Sequence, residues 1–225
     1  KEGESIITAC SDGVARLWNS YTGAVLKEYK RDDSKSEMRW ANFNNVEDKI
    51  VTCYDDGYIF VWEKATGEVI TSFKAHNSKV YCANFSYNDS LIVSTSQDKF
   101  MKIWSAKNGI KLHEYNNKSL TRYAIFNKIN SRVYFTDNSG RVKVYSLNAK
   151  DVTDEYYKND YNFDVYCVAL NRDETHLVTA QGGDSKVSVW DISTKQRLFQ
   201  MKHEDNCSVN FVAYGVDPIT NAELI

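Results

Sequence analysis

Four histidines, five cysteines and a recurring aspartate are the residues of this 225-residue chain with the most chemical reach. The cysteines are Cys10, Cys53, Cys82, Cys167 and Cys207. Their number is odd and no two form a Cys-x-x-Cys pair, whereas a disulfide framework or a zinc site needs paired spacing. They read as reduced thiols serving as small buried apolar groups, which places the chain in the cytoplasm or the nucleus. His76, His113, His176 and His203 have no metal-ligand spacing. His76, Asp98 and a serine at 94 or 96 are the residue types of a hydrolase triad, and they fall within one short stretch. No glycine-rich phosphate loop or other cofactor motif accompanies them. The expectation is no catalytic, cofactor or metal site.

The elements that must position these residues follow from an internal period. Trp18, Trp62, Trp104, Tyr145 and Trp190 each end a β-like run, at intervals of 44, 42, 41 and 45 residues. A second marker, ending at Phe43, Phe85, Phe126, Leu170 and Tyr214, recurs at 42, 41, 44 and 44. Two markers in phase make the period a property of the whole chain. Asp12, Asp56, Asp98 and Asp184 each stand six residues before the tryptophan. Gly13 and Gly57 follow directly, as in hairpin turns. The run from turn to tryptophan alternates apolar and polar residues, as in Val187-Ser188-Val189-Trp190, which is strand periodicity. Turn glycines at 23, 67 and 109 precede one further short strand. Each period therefore holds four strands, and helices should be scarce.

Four strands in about 40–45 residues, one ending in Trp, resemble the WD repeat, a blade of a β-propeller. The fullest match is Ala75-His76, Val80, Phe85-Ser86, Ser94 to Asp98 and Lys102-Ile103-Trp104-Ser105. Trp-Asp itself survives at Trp190-Asp191. The resemblance implies an all-β fold of four-stranded antiparallel blades, part of a seven-bladed ring. The blades are expected at about 36–73, 77–116, 119–158 and 163–202, with partial blades at 1–29 and 207–225. A closed ring of that kind needs roughly 290–300 residues, and no initiator Met is present, so an excerpt of a longer protein is expected. The resemblance also implies that His76, Asp98 and Trp104, with Ser94 or Ser96, form a structural hydrogen-bond network rather than a triad. Asp12, Trp18, Asp56, Trp62, Asp184 and Trp190 would anchor the other blades. The Tyr145 blade, with Ser139 where the aspartate is expected, should be looser.

Function then falls to exposed surfaces. The resemblance puts Arg39, Tyr81, Arg122 and Tyr166 at the rim of the narrow face, and both residue types are common at interface hot spots. Tyr157 and Tyr161, in an aromatic-rich charged loop at 155–164, are further candidates. The mixed-charge run Lys30 to Glu37 reads as a solvated loop. With 28 basic against 30 acidic residues the chain lacks the cationic excess of a general nucleic-acid binder. No apolar run approaches a membrane span. The resemblance implies a non-catalytic scaffold that binds other proteins within a multiprotein complex. Residues 74–113 also resemble repeats of the apoptotic protease-activating factor family, the regulatory part of a caspase-activating adaptor. Receptor subunits of ubiquitin ligases, trafficking or ciliary complexes and ribosome assembly are alternatives, as is, more remotely, a propeller enzyme.

Overall fold

In the computed structural model the described residues are 5–32, 36–156, 164–183, 185–202, 207–216 and 223–225. Among them the regular structure is all strand, with no helix. Two compact units divide the chain, residues 1–118 and 119–225. The first unit holds three antiparallel sheets. The first sheet is β1 (Ser5–Ala9), β2 (Val14–Asn19) and β3 (Val25–Lys30). The second is β4 (Met38–Phe43), β5 (Lys49–Tyr54), β6 (Tyr58–Glu63) and β7 (Val69–Lys74). The third is β8 (Val80–Phe85), β9 (Leu91–Ser96), β10 (Phe100–Ser105) and β11 (Lys111–Asn116).

The second unit repeats the pattern. Its fourth sheet is β12 (Thr121–Phe126), β13 (Arg132–Asp137), β14 (Val142–Ser146) and β15 (Asp151–Tyr156). Its fifth is β16 (Val165–Leu170), β17 (His176–Gln181), β18 (Lys186–Asp191) and β19 (Arg197–Lys202). A short pair, β20 (Gly215–Val216) and β21 (Glu223–Leu224), follows. Each four-stranded sheet is a meander with strands in chain order, called a, b, c and d below, which is a propeller blade. The first sheet supplies b, c and d.

Sheets stack face to face within each unit, so strands b and c of the four-stranded sheets are largely buried on both sides. Val51, Cys53, Ile59, Val61, Ile92 and Trp104 form the core between the second and third sheets. Tyr134, Val144, Tyr156, Val168, Leu177 and Trp190 do so between the fourth and fifth. Two-sided burial corrects the alternation read for strand c. Ser188 is buried like its apolar neighbours, and its hydroxyl accepts a hydrogen bond from Gln200 Nε2 at 3.0 Å. Strand d, by contrast, leaves Leu26, Ile70, Leu112 and Leu198 exposed.

The turns explain the glycine spacing. Gly57 has φ 87, and its carbonyl accepts the N–H groups of Ala75 and His76. A Cβ there would lie 2.1 Å from the His76 carbonyl oxygen, so only glycine permits this approach. The turn after strand a uses a non-glycine residue at positive φ in every four-stranded sheet: Glu47, Asp89, Asn130 and Glu174. Val212, Ala213 and Tyr214, read as an inner-strand marker, lie in irregular backbone. Among the described residues this stretch meets the fifth sheet through the Val209 N–H, which donates to the Gln181 carbonyl, and through the Val212 carbonyl, which accepts from the Cys167 thiol.

Candidate functional site

The third sheet concentrates the polar residues picked out by type. His76 Nδ1 donates to the Asp98 carboxylate at 2.9 Å, and Ser94 Oγ lies 2.7 Å from His76 Nε2. Trp104 Nε1 donates to the same Ser94 oxygen at 2.8 Å. The directions are mutually consistent: indole N–H to hydroxyl, hydroxyl to Nε2, Nδ1–H to carboxylate. Ser94 is therefore the hydroxyl of this chain, while Ser96 Oγ accepts the Asp98 N–H at 3.0 Å and shapes the turn. Burial lowers the His76 pKa against the pull of Asp98. Burial alone would raise the Asp98 carboxyl, but hydrogen bonds from His76 and from the Phe100 and Asn77 N–H groups outweigh it and hold the pKa at about 2. The resemblance to a Ser–His–Asp triad ends at access. Ser94 is 0 % exposed and its oxygen is already engaged by Trp104, so no substrate reaches it.

The anchors outside this sheet follow two rules, one of them invisible in the spacing. Asp12, Asp56 and Asp98 each accept the N–H two residues on, from Val14, Tyr58 and Phe100. Each also has a cation beside it. Arg16 lies 2.8 Å from Asp12, whose pKa its hydrogen bond helps to lower to about 2. Arg31 lies 2.8 Å from Asp56. The Arg31 guanidinium, 4.9, 5.0 and 4.8 Å from the ring centres of Tyr54, Tyr58 and Phe60, is buried. It does for Asp56 what His76 does for Asp98, and Arg31 is thereby removed from the solvated loop assigned to residues 30–37. The second rule is a hydroxyl beneath each tryptophan: Trp18 on Thr8, Trp62 on Thr52 and Trp190 on Thr179, at 2.8, 2.8 and 3.3 Å. These threonines went unnoticed because each sits inside an apolar run. Asp184, Tyr157 and Tyr161 lie outside the described residues.

In the fourth sheet Asp137 takes over from the missing aspartate. Its Oδ1 accepts the Ser139 N–H at 2.9 Å, the Ser139 hydroxyl at 2.7 Å and the Arg141 N–H at 3.2 Å.

The rim residues share a feature of pairing. In the second sheet Met38 pairs with Tyr54 and Trp40 with Cys53, leaving Arg39 as an extra residue. Tyr81 is extra between Val80 and Cys82, and Tyr166 between Val165 and Cys167. The same slip falls at Arg122 and Tyr123, opposite Thr136. Each is a β-bulge, a device that re-aims a side chain out of the sheet. In the first unit Arg39 meets both Asp55 oxygens, at 2.5 and 2.9 Å, and Lys79 Nζ joins the same carboxylate at 2.7 Å. The Arg39 bond holds the Asp55 carboxyl below the usual range. In the second unit Arg122 pairs with Asp164 at 2.7 Å and lies 5.2 Å from the Tyr166 ring centre. Gly182 makes room for that ring, since a Cβ there would lie 2.4 Å from Tyr166 Cε2.

The thiols of Cys53, Cys82 and Cys167 are buried, whereas Cys207 is exposed and Cys10 half-buried, which corrects the expectation for those two. Burial pushes the Cys167 pKa up to about 11. Among the described residues no three metal-ligating side chains come together.

The family model for the WD domain, G-beta repeat, matches residues 67–105 and 156–191. No curated protein matches the chain. The first matched segment contains Ser94, Asp98 and Trp104 of the buried network, and the second ends at Trp190-Asp191. The chain thus carries WD repeats at these two positions.

Proposed function

We propose that this chain is a non-catalytic docking platform within a multiprotein assembly, and that its partners contact the bulged a-strand residues, Arg39 and Tyr81 in the first unit and Arg122 and Tyr166 in the second. WD repeats serve in general as protein-interaction scaffolds, and the family is generally non-catalytic. The observation that carries the rim is the bulge repeated at the same position of four a strands. It turns out a large side chain of a hot-spot type while ion pairs hold the neighbouring arginines in place. Because Asp55 and Asp164 already neutralise those arginines, the surface suits a partner offering apolar and hydrogen-bonding groups more than an anionic one. The near-neutral chain, 28 basic against 30 acidic residues, argues against nucleic acid as that partner.

The test is quantitative affinity capture with the four rim residues changed to alanine in the full-length protein. Partners should be lost while the melting temperature stays within about 2 °C of wild type. Undiminished capture would move the interface elsewhere. Within this reading, the likeness of residues 74–113 to apoptotic protease-activating factor repeats supports a cytoplasmic, caspase-activating adaptor as the assembly. A nucleotide-binding module encoded upstream of these repeats is the expected companion, and its absence removes that assignment.

A further inference from the structure

The second and third sheets carry opposite charge. Residues 37–74 hold seven acidic and four basic residues, whereas residues 75–118 hold three acidic and six basic, all six lysine. Each of the three carboxylates of the third sheet is already engaged. Asp89 accepts the N–H groups of Asn45 and Val46 at 2.7 and 3.3 Å, and the Asn44 side chain at 3.0 Å. Asp98 is taken by His76, and Glu114 by Lys111 at 2.5 Å.

Four of the six lysines gather at one end of the sheet. There the Lys79 carbonyl accepts the Gln97 N–H at 3.0 Å, and the Lys99 carbonyl accepts the Asn117 N–H at 2.9 Å. These bonds lace the turn between strands b and c to the loops on either side of it, and so bring Lys79, Lys99 and Lys118 to one corner. Lys102 reaches the same corner, where its Nζ donates to the Ala75 carbonyl at 2.9 Å. Lys79 is spent on Asp55 at 2.7 Å. Lys99 and Lys118 are exposed, and neither ammonium has a partner among the described residues.

We propose that this lysine corner binds a short acidic segment of a partner protein, whose carboxylates pair with Lys99 and Lys118. An ammonium is a compact charge with rotatable donors, which suits single carboxylates. Planar, bidentate recognition of phosphate falls to arginine, and residues 75–118 contain none. A long polyanion such as nucleic acid would also meet the acidic second sheet alongside and be repelled there, whereas a short segment needs only the corner. The site includes neither Arg39 nor Tyr81, so it stands independently of the bulged residues.

The experiment titrates fluorescent hexaglutamate with the full-length protein at low ionic strength, read by anisotropy. Binding should saturate and weaken as salt is added. The double variant Lys99→Gly, Lys118→Gly should weaken it about tenfold. Both positions have positive φ, 74 and 62, and Gly13 and Gly57 hold the place of Lys99 in the first two sheets, so the variant should melt no lower than wild type. Lys107→Gln, which removes an exposed lysine at the far end of the same sheet, should leave the affinity unchanged. Five outcomes would each overturn the proposal: no saturable binding, undiminished binding by the double variant, a lower melting midpoint for it, an equal loss with Lys107→Gln, or tighter binding of inorganic phosphate, a single-stranded oligonucleotide or phosphatidylserine vesicles than of hexaglutamate.

Discussion

The third and fourth sheets solve one internal problem in opposite ways. Both bury a large aromatic at the end of strand c, Trp104 in one and Tyr145 in the other. In the third sheet the indole N–H is matched by Ser94, the hydroxyl by His76 and the imidazole by Asp98. In the fourth, Phe135 stands in the register of Ser94, so the hydroxyl acceptor and the indole donor have gone together. The turn aspartate has moved to Asp137, with Lys143 at 4.0 Å. Removing one member of a buried hydrogen-bonded pair orphans the other, whereas removing both is nearly neutral. The polar network is thus exchanged as a set, and the fourth sheet is a dry version of the third rather than a damaged one.

The sharpest way to break this comparison is Asp98→Ala. It strips the carboxylate from His76 and from the Phe100 and Asn77 N–H groups, and should cost about 3 kcal/mol. A thermal melt should show the midpoint falling by roughly 6–12 °C. An unchanged midpoint would mean that the network is ornamental. Next in size is Thr52→Val, which leaves the Trp62 indole N–H buried and unmatched, at about 2 kcal/mol. Combining it with Trp62→Phe should recover about 1 kcal/mol of the summed single losses, and denaturant titration of the four-member cycle measures this coupling. Strict additivity would refute exchange as a set.

Acid sharpens the contrast. The Asp98 carboxyl, held at about 2, contributes stability that is full above about pH 4 and lost as pH falls through 2. His76, with its pKa lowered from 6.5, contributes stability present above that value and lost below it, because the unfolded chain takes up the proton more readily. Both slopes run the same way, so denaturant midpoints should fall from pH 7 to pH 3. In Asp98→Asn the part of that fall below pH 4 should shrink without vanishing, since Asp12 and Asp55 keep their own lowered values. The smallest expected effect has the opposite sign. Gln181 shares the register position of Ser96, yet it is 0 % exposed and neither of its amide atoms has a partner among the described residues. Gln181→Met should raise stability by about 1 kcal/mol, read as a melting midpoint higher by a few degrees. A lower midpoint would show that the amide is satisfied after all.

The sheet meander was legible because an aromatic must recur wherever strand c ends against the next sheet, and that demand leaves a period in the chain. The threonines beneath Trp18, Trp62 and Trp190 were hidden by their surroundings, since a hydroxyl inside an apolar run signals nothing until its pairing partner is known. Arg31 was hidden by composition. It opens a run of charges, and only the rings of Tyr54, Tyr58 and Phe60 reveal that its guanidinium points inward. Asp137 escaped because it sits two residues ahead of Ser139, the position where an aspartate was sought. At the rim the residue types could be picked out, but the bulges could not, because a register slip is a property of two strands and not of either alone. The pairing of Arg39 with Asp55 and of Arg122 with Asp164 was equally silent.

The carboxylates at Asp89 and Glu174 have a consequence for how such a chain grows over generations. Each grips main-chain N–H groups of the sheet before it, at Asn45 and Val46 in one case and Lys128 in the other. Main-chain donors are the same whatever the side chain, so most of this grip does not depend on the neighbour's identity; only the Asn44 side chain, which also donates to Asp89, does. A duplicated or recombined copy could seat at once, bringing its own carboxylate, while the rest of the turn it holds remains free to drift in sequence.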